Sequence, residues 1–310
     1  MSNSVLVIKL GALGDFFQAA KPFQAIRRHH GGAQITLLTT KPYAAFAESS
    51  PWFDSVWIDS RPSLWQIPAW MKLRSRLRGR GFGHVYDLQT SDRSGFYFRF
   101  LGPGKRPDWS GIAPGCSHPH ANPGRDSMHT TDRQAEQLSM AGLKTDEAPV
   151  DFSWVKDETS RFGLNSPYAL LAPGGARHRP EKRWPVENFI RLASHLAEKG
   201  TQPVLIGRED ERPVLDAIGT AQPEAMNLSA QTSLGDLIGL GANAALAIGN
   251  DTGPMHPIAM AGCPSLVLFS AASDPALCQP RGRAVSIIAE DKLNNLTAAR
   301  VIEACGHLAA

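Results

Sequence analysis

Three short segments of the 310-residue chain combine glycine with side chains that move protons or bind phosphate. The first is the string GALGD, which follows the apolar run Val5 to Ile8 and ends at Asp15. Glycine permits a sharp turn after a strand, and a carboxylate placed there can accept a proton from a substrate hydroxyl. A structural interpretation stays open, because an aspartate at this corner is also a good N-cap for the following helix.

The second segment begins at Pro173-Gly174-Gly175 and reaches Lys182 in the string EKRWP. A lysine in a glycine-containing loop, beside the free amides of a helix that begins after it, suits a phosphate group. In the alternative interpretation, Lys182 and Arg183 are solvated loop residues and the following Trp-Pro pair starts a helix. The segment lacks the G-x-x-x-x-G-K-[ST] pattern, so a P-loop NTPase is not favoured.

The third segment, GNDTGPMH from Gly249 to His256, follows the apolar run AALAI. Thr252 offers a hydroxyl, and the amides from Gly253 onward lie at a predicted helix N-terminus, so the segment suits a diphosphate without a metal ion. His256 is expected on that helix, with a hydrogen bond to phosphate as an alternative role. Asp251 is interpreted as a residue that caps or orients the loop, with an ordinary Asx turn as the alternative.

Two further patterns lack the context that their chemistry requires. The string from Gly239 to Ala244 matches G-x-G-x-x-A but precedes a predicted strand, whereas a dinucleotide-binding fingerprint follows one. A nicotinamide dehydrogenase is therefore not favoured. Cys116, His118 and His120 are metal-ligand types at close spacing, but no second cluster completes a tetrahedral set. We expect no metal site.

The elements that must position these segments alternate between short apolar runs and longer amphipathic stretches. Predicted strands cover residues 4–10, 34–39, 54–59, 83–88, 168–173, 202–207, 244–250 and 264–270. The segment 103–125, rich in proline, glycine and histidine, is predicted as a loop. Such alternation is typical of βαβ units around a parallel sheet. The predicted strands fall into two series, at residues 4–88 and 168–270. They predict an α/β chain with two Rossmann-like domains, in which ligands bind beyond the carboxyl ends of the strands.

Length and composition agree with a two-domain globular protein. Hydrophobic residues make up 42% of the chain and charged residues 20%, which is not the composition of a disordered protein. The sequence contains no run of about 18 apolar residues and no recognisable export signal, so we expect a cytoplasmic protein. The four cysteines form no C-x-x-C pair and are expected to be reduced thiols.

Positive charge is concentrated in the first half of the chain. Residues 1–155 carry 18 basic and 13 acidic side chains, whereas residues 156–310 carry 14 and 16. Between Asp59 and Asp87 lie six lysines and arginines, no acid, and the tryptophans Trp65 and Trp70. Nucleic acid, a membrane surface or an anionic substrate would suit such a segment, and a solvated helix face is the structural alternative.

In their order along the chain, these motifs resemble the ADP-heptose:lipopolysaccharide heptosyltransferases of glycosyltransferase family 9. The resemblance extends over nearly the whole chain, from KLGALGD through PGG and EKRWP to DTGPMH. It implies the GT-B fold, in which two Rossmann-like domains face each other across a cleft. It also implies an enzyme that inverts the configuration of the transferred sugar, with no obligatory cofactor or catalytic metal.

The resemblance gives roles to individual residues. Asp15 matches the general base that takes the proton of the acceptor hydroxyl. The donor is expected to be ADP-heptose. Glu209 is assigned to its ribose, and Thr232 and Ser233 lie near its adenine. The remaining donor-binding residues are Lys182, Asp251, Thr252, Gly253 and His256, together with the phosphate loop of Gly174 and Gly175. For Glu209 the structural alternative is the first turn of an exposed helix, where acidic residues are common. The acceptor side is assigned Gly14, Arg61 and Gln89.

The same resemblance makes residues 1–155 the acceptor-binding domain and residues 156–310 the donor-binding domain, and leaves open whether the last helix packs on the first domain. The expected partners are a nucleotide-sugar donor, an anionic glycolipid acceptor and the inner face of the cytoplasmic membrane, with no nucleic acid. Two other functions stay open: a non-catalytic nucleotide-sugar-binding protein, and an epimerase or phosphorylase with a GT-B-like fold.

Overall fold

The computed structural model describes residues 3–63, 65–102 and 106–308. The chain divides into two compact units, Met1–Val150 and Asp151–Ala310. Each unit is built on a six-stranded sheet whose paired strands all run parallel. Within the described ranges, no helix has both the length and the apolar character that crossing a bilayer requires.

The first unit alternates strands with helices. Its strands are β1 (Ser4–Ile8), β2 (Gln34–Thr39), β3 (Ser55–Ile58), β4 (His84–Asp87), β5 (Asp108–Gly111) and β6 (His118–Pro119). Its helices are α1 (Leu13–Gln18), α2 (Ala20–His29), α3 (Lys41–Ser49), α4 (Ile67–Gly79), α5 (Asp92–Phe100) and α6 (Thr130–Met140), with a 3₁₀ turn at Arg125–Ser127.

The strand order in the first sheet is β3-β2-β1-β4-β5-β6. The chain therefore builds outward from β1 to β3 and then returns to the other side of β1 to add β4. Val5 of β1 lies opposite Ile35 on one side and His84 on the other. The residues from Val5 to Ile8 are all buried, as expected for a parallel strand that is covered on both faces.

The second unit repeats this plan. Its strands are β7 (Tyr168–Ala172), β8 (Gln202–Leu205), β9 (Met226–Asn227), β10 (Leu246–Asn250), β11 (Ser265–Ser270) and β12 (Val285–Glu290). Its helices are α7 (Val186–Glu198), α8 (Arg212–Ala221), α9 (Leu234–Asn243), α10 (Met255–Met260), α11 (Pro275–Cys278) and α12 (Ala298–Leu308). Shorter 3₁₀ turns cover Thr159–Phe162, Pro180–Lys182, Glu209–Glu211 and Leu293–Asn295.

The strand order in the second sheet is β12-β11-β10-β7-β8-β9. After β9, the chain therefore crosses to the other side of β7 to add β10. Helix α7 shows how the sequence covers the sheet. Its buried residues Phe189, Leu192, Ala193 and Leu196 recur at i, i+3, i+4 and i+7, which places them on one face of the helix. That face belongs to the same apolar core as the strand residues Leu171, Leu205 and Ile248.

The α/β fold with two parallel sheets, predicted from the sequence, is confirmed, and all eight predicted strands are present. Four strands were not predicted. Strands β5 and β6 fall within the segment predicted as a loop, of which residues 103–105 lie outside the described residues. Strands β6 and β9 have two residues each, too few for an apolar pattern. Strand β12 is only partly buried and carries no long apolar run.

Gly249 lets β10 pack closely against β7. A Cβ atom at this position would lie 2.7 Å from the Ala172 Cβ and 2.7 Å from the Met255 sulfur. We therefore expect Gly249→Ala to lower the free energy of unfolding by about 1–3 kcal/mol, because the surrounding backbone must move. Urea denaturation followed by circular dichroism measures this change.

Gly219→Ala is the matched control. Gly219 lies in α8, and a Cβ there would meet no atom within 4 Å. The gain in helix propensity should stabilise this variant by up to about 1 kcal/mol. Equal destabilisation of both variants would contradict the close-packing explanation.

Candidate functional site

In the first unit, the loops that follow β1 and β4 leave the sheet at the point where the strand order reverses. Such switch points are where open parallel sheets bind ligands. The two loops are joined by side chains: the Leu10 amide donates to the Gln89 Oε1 at 2.8 Å, and the Lys9 ammonium donates to the Leu88 carbonyl at 3.1 Å. Gln89, assigned to the acceptor side from the sequence, thus lies directly against the loop that leads to Asp15.

Asp15 is the third residue of α1 and is half-buried. Its Oδ2 accepts a hydrogen bond from the Ala12 amide, at 3.2 Å, so the carboxylate reaches back over the start of its own helix. The N-cap position itself is held by Ala12, not by the aspartate. A carboxylate in the first turn is favoured by the positive end of the helix dipole. The buried Gly14 immediately precedes it.

Arg61 approaches the same loop from β3. Its guanidinium donates to the Leu10 carbonyl at 2.8 Å, and its backbone amide donates to the Asp59 Oδ1 at 2.7 Å. Asp59 is buried and also accepts hydrogen bonds from Arg93 and from the Tyr97 hydroxyl. Arg61 and Gln89, which lie far apart in the sequence, therefore contact the two backbone polar groups of Leu10.

Two buried charged groups, Lys9 and Asp87, lie at the start of these loops. Burial lowers the pKa of Lys9 to about 8, and the negative charge of Asp15 opposes this shift. Burial raises the pKa of Asp87 to about 6, against the hydrogen bonds from the Thr90 and Gln89 amides. Within the described part of the chain, the Asp87 Oδ2 is buried and makes no hydrogen bond. The one signal in the sequence is that each residue sits at or just beyond the end of an apolar strand.

The raised pKa of Asp87 has a consequence for stability. Between pH 3.8 and about 6, the folded state keeps a proton that the unfolded state has released, so stability falls as the pH rises through this window. We expect Asp87→Asn to remove this loss. As the pH rises from 4 to 7, the free energy of unfolding of the variant should increase by about 2–3 kcal/mol relative to that of the wild type.

Chemical denaturation at several pH values measures the difference in the free energy of unfolding between the two proteins. Asparagine keeps an oxygen that can accept from the amides of Gln89 and Thr90. Parallel pH profiles for wild type and variant would contradict the assignment of a protonated Asp87 in the folded state.

In the second unit, the corresponding switch point lies between β7 and β10, and Asn250 joins the two loops there. Its side-chain amide donates to the Pro173 carbonyl at 2.8 Å and to the Gly174 carbonyl at 3.0 Å. Its Oδ1 accepts from the Trp184 amide at 3.0 Å. Asn250 is fully buried, so these bonds satisfy a polar group that would otherwise be costly to bury. The sequence contained Asn250 within a motif but gave no reason to single it out.

Lys182 and Asp251 form an ion pair at this switch point. The Lys182 Nζ lies 2.7 Å from the Asp251 Oδ2, and the side chains are only 12% and 9% exposed. The Ser273 hydroxyl donates to the same Oδ2 at 2.5 Å. The structure thus brings together two residues that the sequence assigned to the donor. Asp251 neutralises the lysine.

Thr252 and Gly253 form the turn that leads into α10. The Met255 amide donates to the Thr252 carbonyl and the His256 amide to the Gly253 carbonyl, both at 3.2 Å. His256 is buried within α10. Thr252 and Gly253 are half-buried, so this turn is accessible beside the ion pair.

Glu211 holds the loop of Gly174 and Gly175 in place. Its Oε1 accepts from the Gly175 amide at 2.7 Å, and its Oε2 accepts from the Arg208 amide at 2.8 Å. The carboxylate is buried and lies so close that a Cβ at Gly174 would be 2.2 Å from Oε1. The glycine is therefore required by the approach of Glu211, a residue that the sequence did not suggest.

The remaining predicted donor residues lie nearby in the sequence but make local contacts. Glu209 is exposed and forms two hydrogen bonds with Arg212, which lower the pKa of its carboxyl group. Ser233 begins α9, and its hydroxyl accepts from the Asp236 amide at 3.1 Å. Thr232 is half-buried just before it. These contacts match the structural alternative for Glu209 and leave its contact with a ribose untested.

The histidine-rich segment of the first unit has a structural pairing. His120 is buried, and its Nε2 lies 2.7 Å from the Glu136 carboxylate, which also accepts from Asn122. Over the residues that the structure describes, no three histidine, cysteine or acidic side chains converge as metal ligands would.

Gly174→Ala should displace Glu211 and disturb the loop at the switch point. We expect it to lower the free energy of unfolding by about 1–3 kcal/mol, because the new methyl group overlaps a buried carboxylate. The double variant Gly174→Ala/Glu211→Ala removes the overlapping group. Denaturant melts should therefore show that the two substitutions together cost clearly less than the sum of their separate effects. Additive effects would mean that the glycine is needed for another reason.

Comparison with known proteins adds to this geometry. The family model described as glycosyltransferase family 9 (heptosyltransferase) matches residues 70–303. Lipooligosaccharide heptosyltransferase 2 of Haemophilus influenzae is 33% identical over 119 residues, which are 37% of this chain and 34% of that protein. The chain thus aligns with only about a third to a half of the length of the curated relatives that it matches.

Two solved structures share the fold over nearly their full length. The Escherichia coli ADP-heptose lipopolysaccharide heptosyltransferase II has a TM-score of 0.81 at 21% identity, covering 100% of this chain and 98% of that one. The E. coli heptosyltransferase WaaC, solved with ADP, has a TM-score of 0.79 at 18% identity, covering 98% and 99%. At this level of identity, the similarity establishes the shared fold.

Proposed function

The chain belongs to glycosyltransferase family 9, and on that premise we propose that it transfers a heptose from ADP-heptose to a core sugar of a lipopolysaccharide-type acceptor. The relatives named above are heptosyltransferases, and one of the similar structures was solved with ADP. The observation that carries the proposal is the cluster at the second switch point, where Lys182, Asp251 and the turn of Thr252 and Gly253 meet. A half-buried lysine beside an accessible turn at this position suits the diphosphate of a nucleotide-sugar.

We assign donor binding to the second unit. Asp251 neutralises Lys182, with 2.7 Å between the ammonium nitrogen and the carboxylate Oδ2. A donor diphosphate brings at least one more negative charge to the lysine, which can then donate to a phosphate oxygen as well as to Asp251. Asn250 and Glu211 act indirectly, because they fix the loops on which these groups lie. Glu209, Thr232, Ser233 and His256 remain proposed contacts for the rest of the donor.

We assign acceptor binding to the first unit, with Asp15 as general base. The carboxylate takes the proton of an acceptor hydroxyl while that oxygen attacks the anomeric carbon of the heptose. The bond from this carbon to the diphosphate breaks, and ADP leaves with the bonding electron pair. A single displacement of this kind inverts the anomeric configuration. Lys182 and backbone amides supply the positive charge that stabilises the leaving diphosphate, so the proposed step needs no metal ion.

Gly14, Arg61 and Gln89 are the proposed acceptor-side residues. Arg61 is an exposed residue whose positive charge can attract an anionic sugar, and Gln89 fixes the loop before Asp15. The excess of basic residues in the first half of the chain agrees with an anionic acceptor. Because such acceptors are glycolipids, we place the enzyme at the inner face of the cytoplasmic membrane.

Asp15→Asn should abolish transfer without abolishing donor binding. Removing a general base typically costs about 10²-fold to 10⁴-fold in turnover. The measurements are transfer of labelled heptose from ADP-heptose to delipidated acceptor, and the rise in melting temperature that ADP produces. Asp92→Asn is the control, since Asp92 is likewise an acid in the first turn of a helix, α5. Undiminished transfer by folded Asp15→Asn would contradict the assigned base.

Lys182→Met should weaken ADP binding by about tenfold to a hundredfold, the usual effect of losing a charge-assisted hydrogen bond. Isothermal titration with ADP measures this loss. Lys199→Met is the control, since Lys199 is an exposed lysine at the end of α7. Equal ADP affinity in both variants would place the diphosphate elsewhere.

The same transfer assay separates the other two functions. A non-catalytic binding protein would give the ADP-dependent rise in melting temperature but no labelled product. An epimerase or phosphorylase would convert the nucleotide-sugar without any acceptor. Product that forms only when acceptor is present supports the transferase.

A further inference from the structure

Large exposed hydrophobic side chains are concentrated at one place on the first unit. Among the described residues, the exposed large hydrophobic side chains all precede Val150. Four of them lie at the start of α4 or on the adjoining α5: Trp65 is 88% exposed, Ile67 65%, Met71 54% and Phe96 41%. Ile67 and Met71 lie four residues apart on one face of α4, and Phe96 packs on Trp70 of the same helix, so these side chains are grouped and not scattered. Such a group on a folded unit marks a surface that contacts something else.

Trp70 connects this part of the surface to the packed interior of the unit. Trp70 packs against the apolar core of the unit, and its ring centroid is 5.6 Å from that of the exposed Phe96 and 5.6 Å from that of Phe100. Its indole N–H donates to the Ser63 carbonyl at 2.9 Å, and the Arg93 guanidinium lies 4.8 Å from its ring centroid. The apolar side chains are therefore presented by an ordered platform between α4 and α5.

Basic side chains continue the same stripe of α4. Ile67, Met71, Arg74 and Arg78 are spaced at i, i+4, i+7 and i+11, so they share one helix face. No acidic residue occurs between positions 60 and 86. Arg76, by contrast, lies on another face of α4. Its guanidinium carbon is 4.0 Å from the centroid of the Trp57 ring, so this arginine packs within the unit.

A cavity next to α5 is lined by two arginines. Arg99 and Arg106 line a cavity of about 320 Å³ together with Gly95, Phe98 and others. The Arg106 guanidinium lies 4.7 Å from the Phe98 ring centroid. Arg99 follows the exposed Phe96 by three positions on α5, so these two side chains are neighbours on the helix surface. The planar guanidinium group of an exposed arginine is suited to a phosphate group.

We propose that this α4–α5 face, comprising Trp65, Ile67, Met71, Phe96, Arg74 and Arg78, docks on the surface of an anionic lipid bilayer. Tryptophan and aliphatic side chains enter the boundary between headgroups and acyl chains, while arginines remain at the level of the lipid phosphates. Arg99, beside Phe96, contacts the headgroups. The proposal rests on the proposed function in one respect, since a membrane-anchored acceptor requires an enzyme that reaches the bilayer.

The chemistry of the face favours this occupant over two others. A second copy of the chain would place the basic stripe against itself, where like charges repel. Single-stranded nucleic acid needs rows of aromatic rings for base stacking, whereas Ile67 and Met71 offer aliphatic surface instead. An acyl boundary with phosphate above it satisfies both the apolar and the basic side chains.

Sedimentation with lipid vesicles tests the proposal directly. The full chain should bind vesicles of phosphatidylcholine containing about 30 mol% phosphatidylglycerol and should not bind vesicles of phosphatidylcholine alone. Trp65→Ser/Met71→Ser should bind at least about tenfold more weakly. Met140→Ser is the control, because Met140 is an exposed methionine on α6, which packs against α1 and α2.

Arg74→Gln/Arg78→Gln tests the electrostatic part. We expect this variant to bind about tenfold more weakly and to depend less on ionic strength than the wild type. Arg191→Gln/Lys199→Gln removes the same net charge from exposed positions of α7 and should bind like the wild type. Equal weakening by both pairs would mean that net charge, not this face, drives binding.

The vesicle experiment contains neither donor nor acceptor, so its result does not depend on the transferase activity. Failure of the wild type to bind anionic vesicles, or wild-type binding by Trp65→Ser/Met71→Ser, would overturn the docking surface alone. A dimer in sedimentation velocity that this variant loses would assign the face to a second copy and also overturn the proposal. Circular dichroism melts of each variant check that it is folded.

Discussion

Both units of this protein depend on the same topological constraint. A parallel sheet with strands added on both sides of its first strand contains a switch point, where the strand order reverses. At that point, two neighbouring loops leave the sheet in opposite directions and leave a crevice between them. The first sheet has its switch point between β1 and β4, and the second has one between β7 and β10. In each unit, side-chain hydrogen bonds join the two loops, from Lys9 to Leu88 and from Asn250 to Pro173.

The two crevices handle buried charge in different ways. The second pairs Lys182 directly with Asp251, so a cation is held in place without a large cost of burial. The first buries Lys9 and Asp87 so completely that burial moves both pKa values toward neutrality. The difference suits the two proposed tasks, since a diphosphate needs a fixed cation whereas a proton transfer at Asp15 is sensitive to the field of nearby charges.

Much of the fold and part of the site could be predicted from the sequence. Short apolar runs identified eight strands, whereas the two-residue strands β6 and β9 have no pattern to recognise. The motifs around Asp15, Lys182 and Thr252 were found because glycine and charged residues follow strands there. Glu211 and Asn250 were missed, since their value lies in which backbone amides and carbonyls they reach, and a sequence does not display those partners.

By itself, the sequence determined the alternation of strands and helices, the position of the glycine-containing motifs and the excess of basic residues in the first half. Periodicity and turn chemistry are local properties, and each is encoded within a few neighbouring residues. Only the tertiary structure decided that Lys182 pairs with Asp251, 69 positions away, and that the Leu10 amide reaches Gln89, 79 positions away. Such contacts depend on which strands become neighbours in a sheet, and that is fixed by the packing of the whole unit.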